Sequence, residues 1–391
     1  MTASETDFDV VVLGAGPAAC AAALSPASAG RRVALLSQDA VRRLPLGESL
    51  PPAAAPLLHA LGMWKGFQAG PHLPCYGTQS AWGEDELQCV DFIRDPNGHG
   101  WHLDRPAFDA LVLETARDAG AAVFSTNAPL AVARTGNGLW RVTAGHLSLT
   151  APWLIDGTGR ARWLSRQLGV RRLRSDSLVG YVAQARSPRP DPERTSLVES
   201  APEGWWYTAA LPGGARVVTY FTDAGTLMGR QAATVDGFRK LLTQTCHIRE
   251  RLGGGEIINI PQATAAHTAR AAHCVGDGWL AVGDAALSFD PLSSQGLFHA
   301  LATGLEAGHT LNAALNGDAN ALPHYAAGMD AIFNAYQHHR AVYYAQEQRW
   351  PNSPFWQRRH PSASVPGHRI HPGEQPRHSF QDRRGQGRGA Q

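Results

Sequence analysis

Cysteine is scarce in this sequence of 391 residues, and its five copies are isolated from one another. They occur at Cys20, Cys75, Cys89, Cys246 and Cys274, so no C-x-x-C pair is present. An odd number of cysteines without a paired motif argues against a disulfide framework and against a zinc ribbon. Free thiols are typical of a reducing compartment, and we therefore expect a cytoplasmic protein without a metal site.

Long hydrophobic runs and a secretory signal are also missing from the sequence. The apolar stretches are short and are interrupted by charged residues or by some of the 41 glycines and 26 prolines. None approaches the roughly 20 residues that a membrane-spanning helix requires. Glu5 and Asp7 stand where a signal peptide would be basic and then apolar. The sequence therefore predicts no membrane span and supports a cytoplasmic location.

The net charge is nearly balanced, and its basic excess is confined to one end. There are 35 basic and 33 acidic residues, which give a formal charge of +2. Residues 357–391 contain seven arginines, one glutamate and one aspartate, a local charge of +5 that leaves −3 for residues 1–356. A mildly acidic main part gives no support to nucleic-acid binding. The Pro-, Gly-, His- and Arg-rich composition of 357–391 predicts a disordered basic tail.

A glycine loop between a short apolar segment and an alanine-rich segment is the first chemical signal. Residues 8–13 (FDVVVL) have the pattern of a buried strand, and residues 18–25 have that of a helix. The residues of the G-x-G-x-x-A motif expected to bind a cofactor are Gly14, Gly16, Pro17, Ala18 and Ala19. Such a loop brings backbone close to a pyrophosphate and opens a helix whose amides bind the phosphates. The sequence therefore predicts a dinucleotide-binding βαβ unit.

The acidic residue that often follows the second strand of such a unit is missing. Residues 32–36 predict that strand, and Ser37 and Gln38 stand where a carboxylate would bind the ribose hydroxyls. Asp39 comes one or two residues late. A hydroxyl or amide still binds a ribose, although more weakly than a charged acceptor does. The identity of the dinucleotide therefore stays open in this half of the chain.

Further motifs lie along the rest of the chain. They are GESLPP at 47–52, WHLDRPAFD at 101–109, DGTGR at 156–160 and GDAALSFDPLSSQG at 283–296. Together with the glycine loop, and in this order, they resemble the FAD-dependent monooxygenases of the p-hydroxybenzoate hydroxylase fold, in its flavin-halogenase-like branch. The resemblance extends over roughly residues 8–345 and implies that the dinucleotide is FAD.

The resemblance implies an α/β protein whose Rossmann-like FAD-binding domain carries an inserted antiparallel-sheet substrate domain. The FAD-binding domain is expected at 6–76, 102–173 and 276–348, and the substrate domain at 77–101 and 174–275. The spacing of apolar residues predicts the main helices at 51–62, 106–119, 235–250, 294–315 and 323–348.

Roles for several cofactor residues follow from the same resemblance. Asp284, after Gly283, is similar to the ligand of the ribityl hydroxyls, and Pro291 to the residue that lies against the flavin ring. Backbone amides that would stabilise the reduced flavin anion at its N1/C2=O edge are expected from Ser294, Gln295 and Gly296.

The remaining motifs supply contacts to other parts of the cofactor. Arg105 is expected near the phosphates or the ribityl chain, and Asp156 and Gly157 beside the adenine half. Glu48 and Ser49 are expected to contact the cofactor as well. Glu48 is explained almost as well as a buried structural acceptor.

The chemistry that the resemblance implies needs few catalytic side chains. Reduced FAD reacts with O2, and a flavin C4a-hydroperoxide transfers oxygen to an electron-rich arene. The protein excludes water and positions the substrate, so neither a catalytic triad nor a metal is required, and neither is recognisable. NAD(P)H or an external flavin reductase is the expected electron donor, because the sequence contains no second nucleotide-binding motif.

Two departures from the halogenase pattern disfavour halogenation. Flavin halogenases carry a lysine soon after the GE motif, whereas residues 76–82 contain none and Lys65 comes too early. Their W-x-W-x-I-P stretch is replaced by GWWYTAALP at 204–212.

The motifs look most like the flavoproteins encoded with tryptophylquinone enzymes, which hydroxylate a tryptophan of a precursor protein during cofactor maturation. Trp205, Trp206 and Tyr207 are suited to hold an indole by stacking and form, with Pro291, the candidate substrate cleft. The same three aromatic residues are explained equally well as packing in the core of a sheet.

Other functions stay open from the sequence. They are a tryptophan-halogenase-like enzyme that lacks the lysine, an FAD reductase of the geranylgeranyl-reductase type, and a non-catalytic FAD-containing maturation partner. The expected partner is an aromatic small molecule or a precursor protein that carries the target tryptophan. The sequence predicts no particular oligomeric state.

Overall fold

The computed structural model describes residues 5–38, 48–186 and 193–360. The helices in these ranges are α1 Pro17–Ser28, α2 Ala54–Ala60, α3 Trp64–Gln68, α4 Arg105–Asp118, α5 Trp163–Gln167, α6 Leu227–Ala232, α7 Val235–Leu242, α8 His247–Leu252, α9 Gly296–Leu315, α10 Ala321–Gln346 and α11 Pro354–Gln357. None of these helices combines the length and the apolar character that crossing a membrane requires.

A six-stranded sheet carries the glycine loop. Its strands, in spatial order, are β22 Val275–Gly276, β23 Trp279–Ala281, β13 Trp153–Asp156, β2 Val10–Leu13, β3 Val33–Gln38 and β9 Ala122–Thr126. Neighbouring strands are parallel except for β22 and β23. Strand β2 is buried at every position, as expected of a central parallel strand that is covered on both faces.

Helices α1 and α9 pack closely against each other. A Cβ atom on Gly304 would lie 2.4 Å from the carbonyl oxygen of Ala18, and one on Gly308 would lie 2.8 Å from that of Ala22. No side chain fits at such distances, so this contact requires glycine at both positions of α9. The contact holds α9 against the helix that the glycine loop opens.

An eight-stranded sheet forms the second large layer. Its strands, in spatial order, are β19 Glu256–Ile257, β15 Leu178–Arg186, β18 Ala215–Asp223, β17 Gly204–Ala210, β16 Thr195–Ala201, β6 Gly77–Ala81 and β7 Gln88–Asp91, with β20 Gln262–Ala265 also paired to β15. The pairs are antiparallel except for β16 with β6. Alternate side chains of each strand therefore face opposite sides of this sheet.

Three small sheets complete the described part of the chain. They are β1 Glu5–Asp7 with β12 Leu147–Ala151, β11 Trp140–Ala144 and β10 Leu130–Arg134; β14 Arg172–Arg174 with β21 Ala269–Ala271 and β24 Leu287–Ser288; and β4 Ser49–Leu50 with β8 Gly100–His102 and β5 Leu73–Cys75. The last of these carries part of the GESLPP and WHLDR motifs.

The α/β architecture agrees with the predicted fold class, with one helix corrected. The single helix predicted at 235–250 is two helices, α7 and α8. The break has a tertiary cause, because the buried carboxylate of Glu199 accepts the backbone N–H groups of Cys246 (2.7 Å) and Ile248 (2.8 Å) and starts α8 there. The domain boundaries given above stay a prediction.

The chain remains ordered beyond the point where a tail was predicted to begin. Arg359 is 2% exposed and donates to both carboxylate oxygens of Asp223, at 2.6 and 3.1 Å, and its guanidinium carbon lies 3.6 Å from the ring centroid of Phe355. Arg358 donates to the same carboxylate at 2.5 and 2.9 Å. The predicted start of the tail at residue 357 is therefore wrong by at least four residues, while 361–391 lie outside the described residues.

We expect Arg359→Met to lower the free energy of unfolding by about 3 kcal/mol, because it breaks a buried ion pair. Burial alone would raise the pKa of Asp223, but the hydrogen bonds and charges of Arg359 and Arg358 outweigh burial and lower that pKa. The stabilisation is thus present above the ordinary carboxyl pKa and is lost as the pH falls through the lowered one. Urea unfolding at neutral and acidic pH measures it.

The matched control is Arg358→Met. Arg358 binds the same carboxylate, but its side chain is 52% exposed. The substitution should cost less than about 1 kcal/mol. Equal losses in the two variants would contradict the assignment of the buried pair to Arg359.

Candidate flavin site

The glycine loop has the geometry of a phosphate cradle. Gly14 has a φ of 107°, and a Cβ atom on it would lie 2.4 Å from the carbonyl oxygen of Gly157, so only glycine fits there. Gly16 precedes α1 without a side-chain cap, and a Cβ on it would meet nothing within 4 Å. The first amides of α1 therefore face open space, as binding a pyrophosphate requires.

Asp156 supports this loop and has no capacity left for a ligand. It is fully buried, and its two carboxylate oxygens accept from the backbone N–H and the hydroxyl of both Thr158 and Ser165, at 2.6 to 3.2 Å. The prediction that the Asp156 carboxylate contacts the adenine half is therefore corrected. The carboxylate instead holds the 157–165 turn in place by accepting hydrogen bonds from it. Gly157 itself donates to the carbonyl of Leu13 at 2.8 Å, beside the glycine loop.

The end of β3 lies beside the glycine loop, as predicted. Leu36 of β3 pairs with Leu13 of β2, and its carbonyl accepts the N–H of Gly14 at 2.8 Å. Ser37 and Gln38 follow directly, and the amide of Gln38 donates to the carbonyl of Ala128 at 3.2 Å. Ser37 is therefore the better placed of the two for a ribose hydroxyl.

Asp284 presents an accessible carboxylate between the two glycine-rich turns. Its side chain is 39% exposed and lies 3.4 Å from Nε of Arg160. Arg160 is positioned by its own bonds to the carbonyls of His267 (2.9 Å) and Phe289 (3.0 Å). Gly283 has a φ of 54°, and a Cβ on it would lie 2.6 Å from that of Ala18. This contact holds the carboxylate close to the start of α1.

Arg160 is a residue whose role sequence reasoning missed. It ends the DGTGR motif, of which only Asp156 and Gly157 were predicted to contact the cofactor. The structure shows that it orients the predicted ribityl ligand. Its position at the end of a recognised motif was the available signal.

The loop from Pro291 to the start of α9 is held rigidly. Asp290 is 1% exposed, and its carboxylate accepts from the N–H of Leu292 (3.0 Å) and the hydroxyl of Tyr344 (2.8 Å). Burial raises the pKa of Asp290, although Arg340 nearby opposes the shift. Ser294 adopts a left-handed conformation with a φ of 50°, which a non-glycine residue keeps only when its surroundings impose it.

Helix α9 begins with amides that no side chain of its N-cap satisfies. Gln295 precedes the helix, and its side chain contacts His299 at 3.0 Å instead of capping the first turn. A Cβ on Gly296 would meet nothing within 4 Å. Of the predicted donors, the N–H of Ser294 donates to the carbonyl of Pro291 at 2.9 Å and that of Gln295 to the hydroxyl of Ser293 at 3.4 Å. The N–H of Gly296 is therefore the donor best placed for a ligand, at a helix N-terminus whose electrostatic potential favours negative charge.

Arg105 lies at the first position of α4. Its guanidinium forms an ion pair with Asp109 at 3.0 Å and is 12% exposed. Asp109 also contributes to raising the pKa of Cys20, after burial, to about 12, so this pair lies near α1. Its place near the cofactor stays a prediction, and the side chain is already paired with Asp109 within its own helix.

His102 lies in the WHLDRPAFD motif, where the sequence favours a structural histidine with satisfied hydrogen bonds over one that approaches the flavin. It is fully buried, and neither ring nitrogen has a hydrogen-bond partner in the described part of the chain. Burial, followed by the charges of Arg216 and Arg194, lowers its pKa to about 4, so the ring is neutral at physiological pH. An unsatisfied buried imidazole costs about 1–3 kcal/mol, and a polar group of a bound cofactor or substrate would remove that cost.

A hydrogen bond joins the GESLPP motif to the eight-stranded sheet. Ser49 Oγ and Tyr207 Oη lie 2.6 Å apart, and Ser49 pairs with His102 across β4 and β8. Burial and the buried carboxylate of Glu48 raise the pKa of Tyr207 well above its usual range, and the bond to Ser49 opposes them only in part. The phenol is therefore protonated at all physiological pH values.

The three aromatic residues of the predicted substrate cleft do not lie together. Trp205 and Tyr207 face the side where Leu292, next to Pro291, packs. Trp206 faces the opposite side and packs against Phe238 of α7. The prediction of one three-residue cluster is corrected, because successive residues of a strand point to opposite faces.

Of the two residues that face Leu292, Tyr207 is the one whose side chain keeps accessible surface. Trp205 is 1% exposed, stacks on Phe221 at a centroid distance of 4.0 Å, and donates from its indole N–H to Tyr344 at 3.2 Å. It therefore forms a supporting wall. Tyr207 is only partly buried.

These features define a class: an FAD-dependent oxidoreductase with a flavin-halogenase-like fold. The FAD binding domain family matches residues 9–49, which include the glycine loop. LodB of Marinomonas mediterranea, described as an FAD-dependent oxidoreductase, is 31% identical over 362 residues, which cover 90% of this chain and 97% of LodB. The chain belongs to the family of FAD-dependent oxidoreductases that includes LodB.

Solved structures share the fold. The myxobacterial chondrochloren halogenase CndH is similar with a TM-score of 0.81 and 23% identity, over 92% of this chain and 87% of CndH. QhpG, a peptidyl tryptophan dihydroxylase essential for tryptophylquinone cofactor biogenesis, is similar with a TM-score of 0.74 and 25% identity, over 92% of this chain and 80% of QhpG. The predicted resemblance and fold class are confirmed.

The residues present fit FAD as the cofactor. The uncapped start of α1, the N–H of Gly296 and the accessible carboxylate of Asp284 are groups that such a cofactor can bind, and the unsatisfied imidazole of His102 offers a further polar contact. The chain segments that carry these groups pack so closely that a Cβ atom at residue 14, 157 or 283 would clash with a neighbouring segment.

We expect Asp284→Ala to purify largely colourless, because it removes a charged acceptor of two ribityl hydroxyls. A loss of about 3 kcal/mol, on the order of 100-fold in Kd for FAD, follows. Flavin absorbance relative to protein absorbance and calorimetric titration with FAD measure it.

The control is Asp277→Ala, since Asp277 is 98% exposed and pairs only with Arg134 at the surface. It should retain full flavin. A yellow Asp284→Ala protein with unchanged affinity would refute the assignment.

Proposed function

We propose that the chain is an FAD-dependent monooxygenase that hydroxylates a tryptophan side chain of a precursor protein, in the maturation of a quinone cofactor. The observation that carries the proposal is the position of its lysines. The sequence contains only Lys65 and Lys240. Lys65 is exposed on α3, and Lys240 is exposed on α7, behind the eight-stranded sheet. Neither stands on the face that carries Tyr207, so the lysine of flavin halogenases has no counterpart there.

Bound FAD, once reduced by NAD(P)H or by a separate flavin reductase, supplies the oxygen-transfer chemistry with O2. The chain's own groups bind and orient. The amides at the start of α9 stabilise negative charge on the ring edge beside them, and Asp284 anchors the ribityl chain. Trp205, Phe221 and Leu292 form a dry wall that excludes water from the same side.

Tyr207 is the residue that we assign to contact the substrate. Its phenol stays protonated and is shared between Ser49 and Glu48, so its hydroxyl is held at a fixed point on the substrate-facing side. A neutral hydroxyl with a defined direction orients an arene that carries an N–H group without removing its proton. The aromatic ring adds a flat surface for the indole.

The similarity to QhpG supports a protein-borne substrate in preference to a free one. QhpG is described as acting on peptidyl tryptophan, and it matches nearly the whole of this chain. The charge of the main part of the chain, −3 over residues 1–356, suits a partner of basic surface.

A halogenase-like activity is the second candidate, and the high structural similarity to CndH favours it. It requires another group in place of lysine to direct the halogenating species. The two candidates differ in the mass of the product and in the need for a halide.

We expect the reduced holoenzyme with O2 to add oxygen to a tryptophan of a synthetic peptide that reproduces the tryptophan-containing segment of a quinoprotein precursor. Mass spectrometry with ¹⁸O2 identifies the oxygen source, and parallel reactions with and without bromide test the halogenase candidate. A brominated product, or no bromide-independent oxygenation of any such peptide, would contradict the proposal.

Tyr207→Phe should lower the product yield at least about tenfold at unchanged flavin content, because it removes one orienting hydrogen bond. Tyr181→Phe is the matched control, since Tyr181 packs on the opposite face of the same sheet. An equal loss in both variants would assign the effect to the stability of the sheet and would remove Tyr207 from the site.

A further inference from the structure

A cavity of about 420 Å³ lies behind the eight-stranded sheet, on the face opposite to Tyr207. Trp206 and Tyr220 form its floor, and Met228 of α6 and Leu241 of α7 add apolar wall. None of its lining residues belongs to the motifs assigned to FAD. Its size is within the range of small-molecule sites. We call it the rear cavity.

The wall of the rear cavity carries an excess of acidic groups. Asp85, Glu199 and Glu203 line it, and Arg349 is the only arginine or lysine among the described lining residues. Arg349 is already bound by Asp85 and by the fully buried Glu347, whose carboxylate lies 2.7 Å away. An anionic ligand would meet carboxylates without an available cation, so the wall favours a positively charged one.

Glu203 is the carboxylate best placed to bind a ligand. Glu199 is engaged by the N–H groups that start α8. The carbonyl oxygen of Glu203 accepts from two hydroxyls of β18, at 2.7 and 3.0 Å, and this fixes the turn between β16 and β17. A fixed backbone holds the Glu203 side chain at the edge of the cavity, close to the aromatic floor.

We propose that the rear cavity is a second ligand site, which takes an organic cation that joins a guanidinium or amidinium group to a flat apolar body. The apolar body fits against Met228 and Leu241 and against the small exposed parts of Trp206 and Tyr220, which are 1% and 2% exposed. The planar cation matches the two oxygens of Glu203 in a forked geometry that a rounded ammonium does not reproduce. The site does not depend on the proposed reaction.

Cys246 provides a direct measurement, because its exposed thiol lines the cavity. Burial is the main reason that the pKa of Cys20 is raised to about 12 and that of Cys274 to about 11, and it raises the pKa of Cys75 too. These thiols react slowly at neutral pH. Cys89 is the other exposed cysteine and is removed by Cys89→Ser.

The test follows the reaction of Cys246 with the neutral reagent 4,4′-dithiodipyridine in the Cys89→Ser holoprotein. Benzamidine, benzamide and benzoate have the same shape and differ in charge. We expect benzamidine to slow the reaction at least about fivefold, and the other two to have little effect. No protection by benzamidine up to about 10 mM would overturn the proposal, as would equal protection by benzamide or benzoate.

A second measurement tests whether the carboxylate of Glu203 binds the cation. Glu203→Gln should raise the benzamidine midpoint about tenfold, whereas Glu256→Gln, an exposed change on β19, should leave it unchanged. An unchanged midpoint in Glu203→Gln would overturn the proposal. The flavin spectrum should not change during the titration, and displacement of FAD by benzamidine would show that the cavity is not a separate site.

Two further arms identify the source of the cation. N-acetyl-arginine methylamide should protect Cys246 as benzamidine does if the cation is an arginine of a partner protein, and should be weaker than benzamidine if it is a free aromatic amidine. A chain that ends at His360 tests the arginines of 361–391. A tighter benzamidine midpoint there would assign the site to the chain's own basic segment.

Discussion

The close approach of three chain segments to the first turn of α1 is the constraint on which the cofactor site depends. Gly14 meets the 157 turn, Gly283 meets Ala18, and Gly304 meets the same residue from α9. Each contact leaves no space for a Cβ atom. Because these contacts are made by backbone atoms and by the Cβ of Ala18, the groups predicted to bind the flavin are positioned by close packing and not by flexible side chains. A methyl group at any of the three glycines would therefore move ligands that it does not touch.

The sequence predicted those elements whose structure depends on neighbouring residues alone. The strand, glycine loop and helix at 8–28 follow from burial and backbone freedom, and the two long helices follow from the spacing of apolar residues. Trp206 was misplaced because adjacent aromatic letters do not reveal the register of a strand. Asp156 and His102 were misjudged because the number of hydrogen bonds that a carboxylate or imidazole makes is decided by residues far away in the chain. Arg359, in a stretch of polar composition, is ordered by a single distant carboxylate.

The two large sheets meet through a small number of polar contacts that cross long sequence separations. Ser49 bonds to Tyr207, and Tyr344 on α10 bonds both to Trp205 and to Asp290 at the flavin loop. Arg358 and Arg359, in the segment after α10, donate to Asp223 at the end of β18. Helix α10 and the segment after it thus brace the substrate-facing sheet against the loop that carries Pro291.

Strand β17 serves as a partition one strand thick. Trp205 and Tyr207 belong to the compartment in front of it, and Trp206, between them, belongs to the compartment behind it. An insertion or deletion of one residue in this strand would exchange the two compartments' side chains, whereas a change of two residues would preserve them.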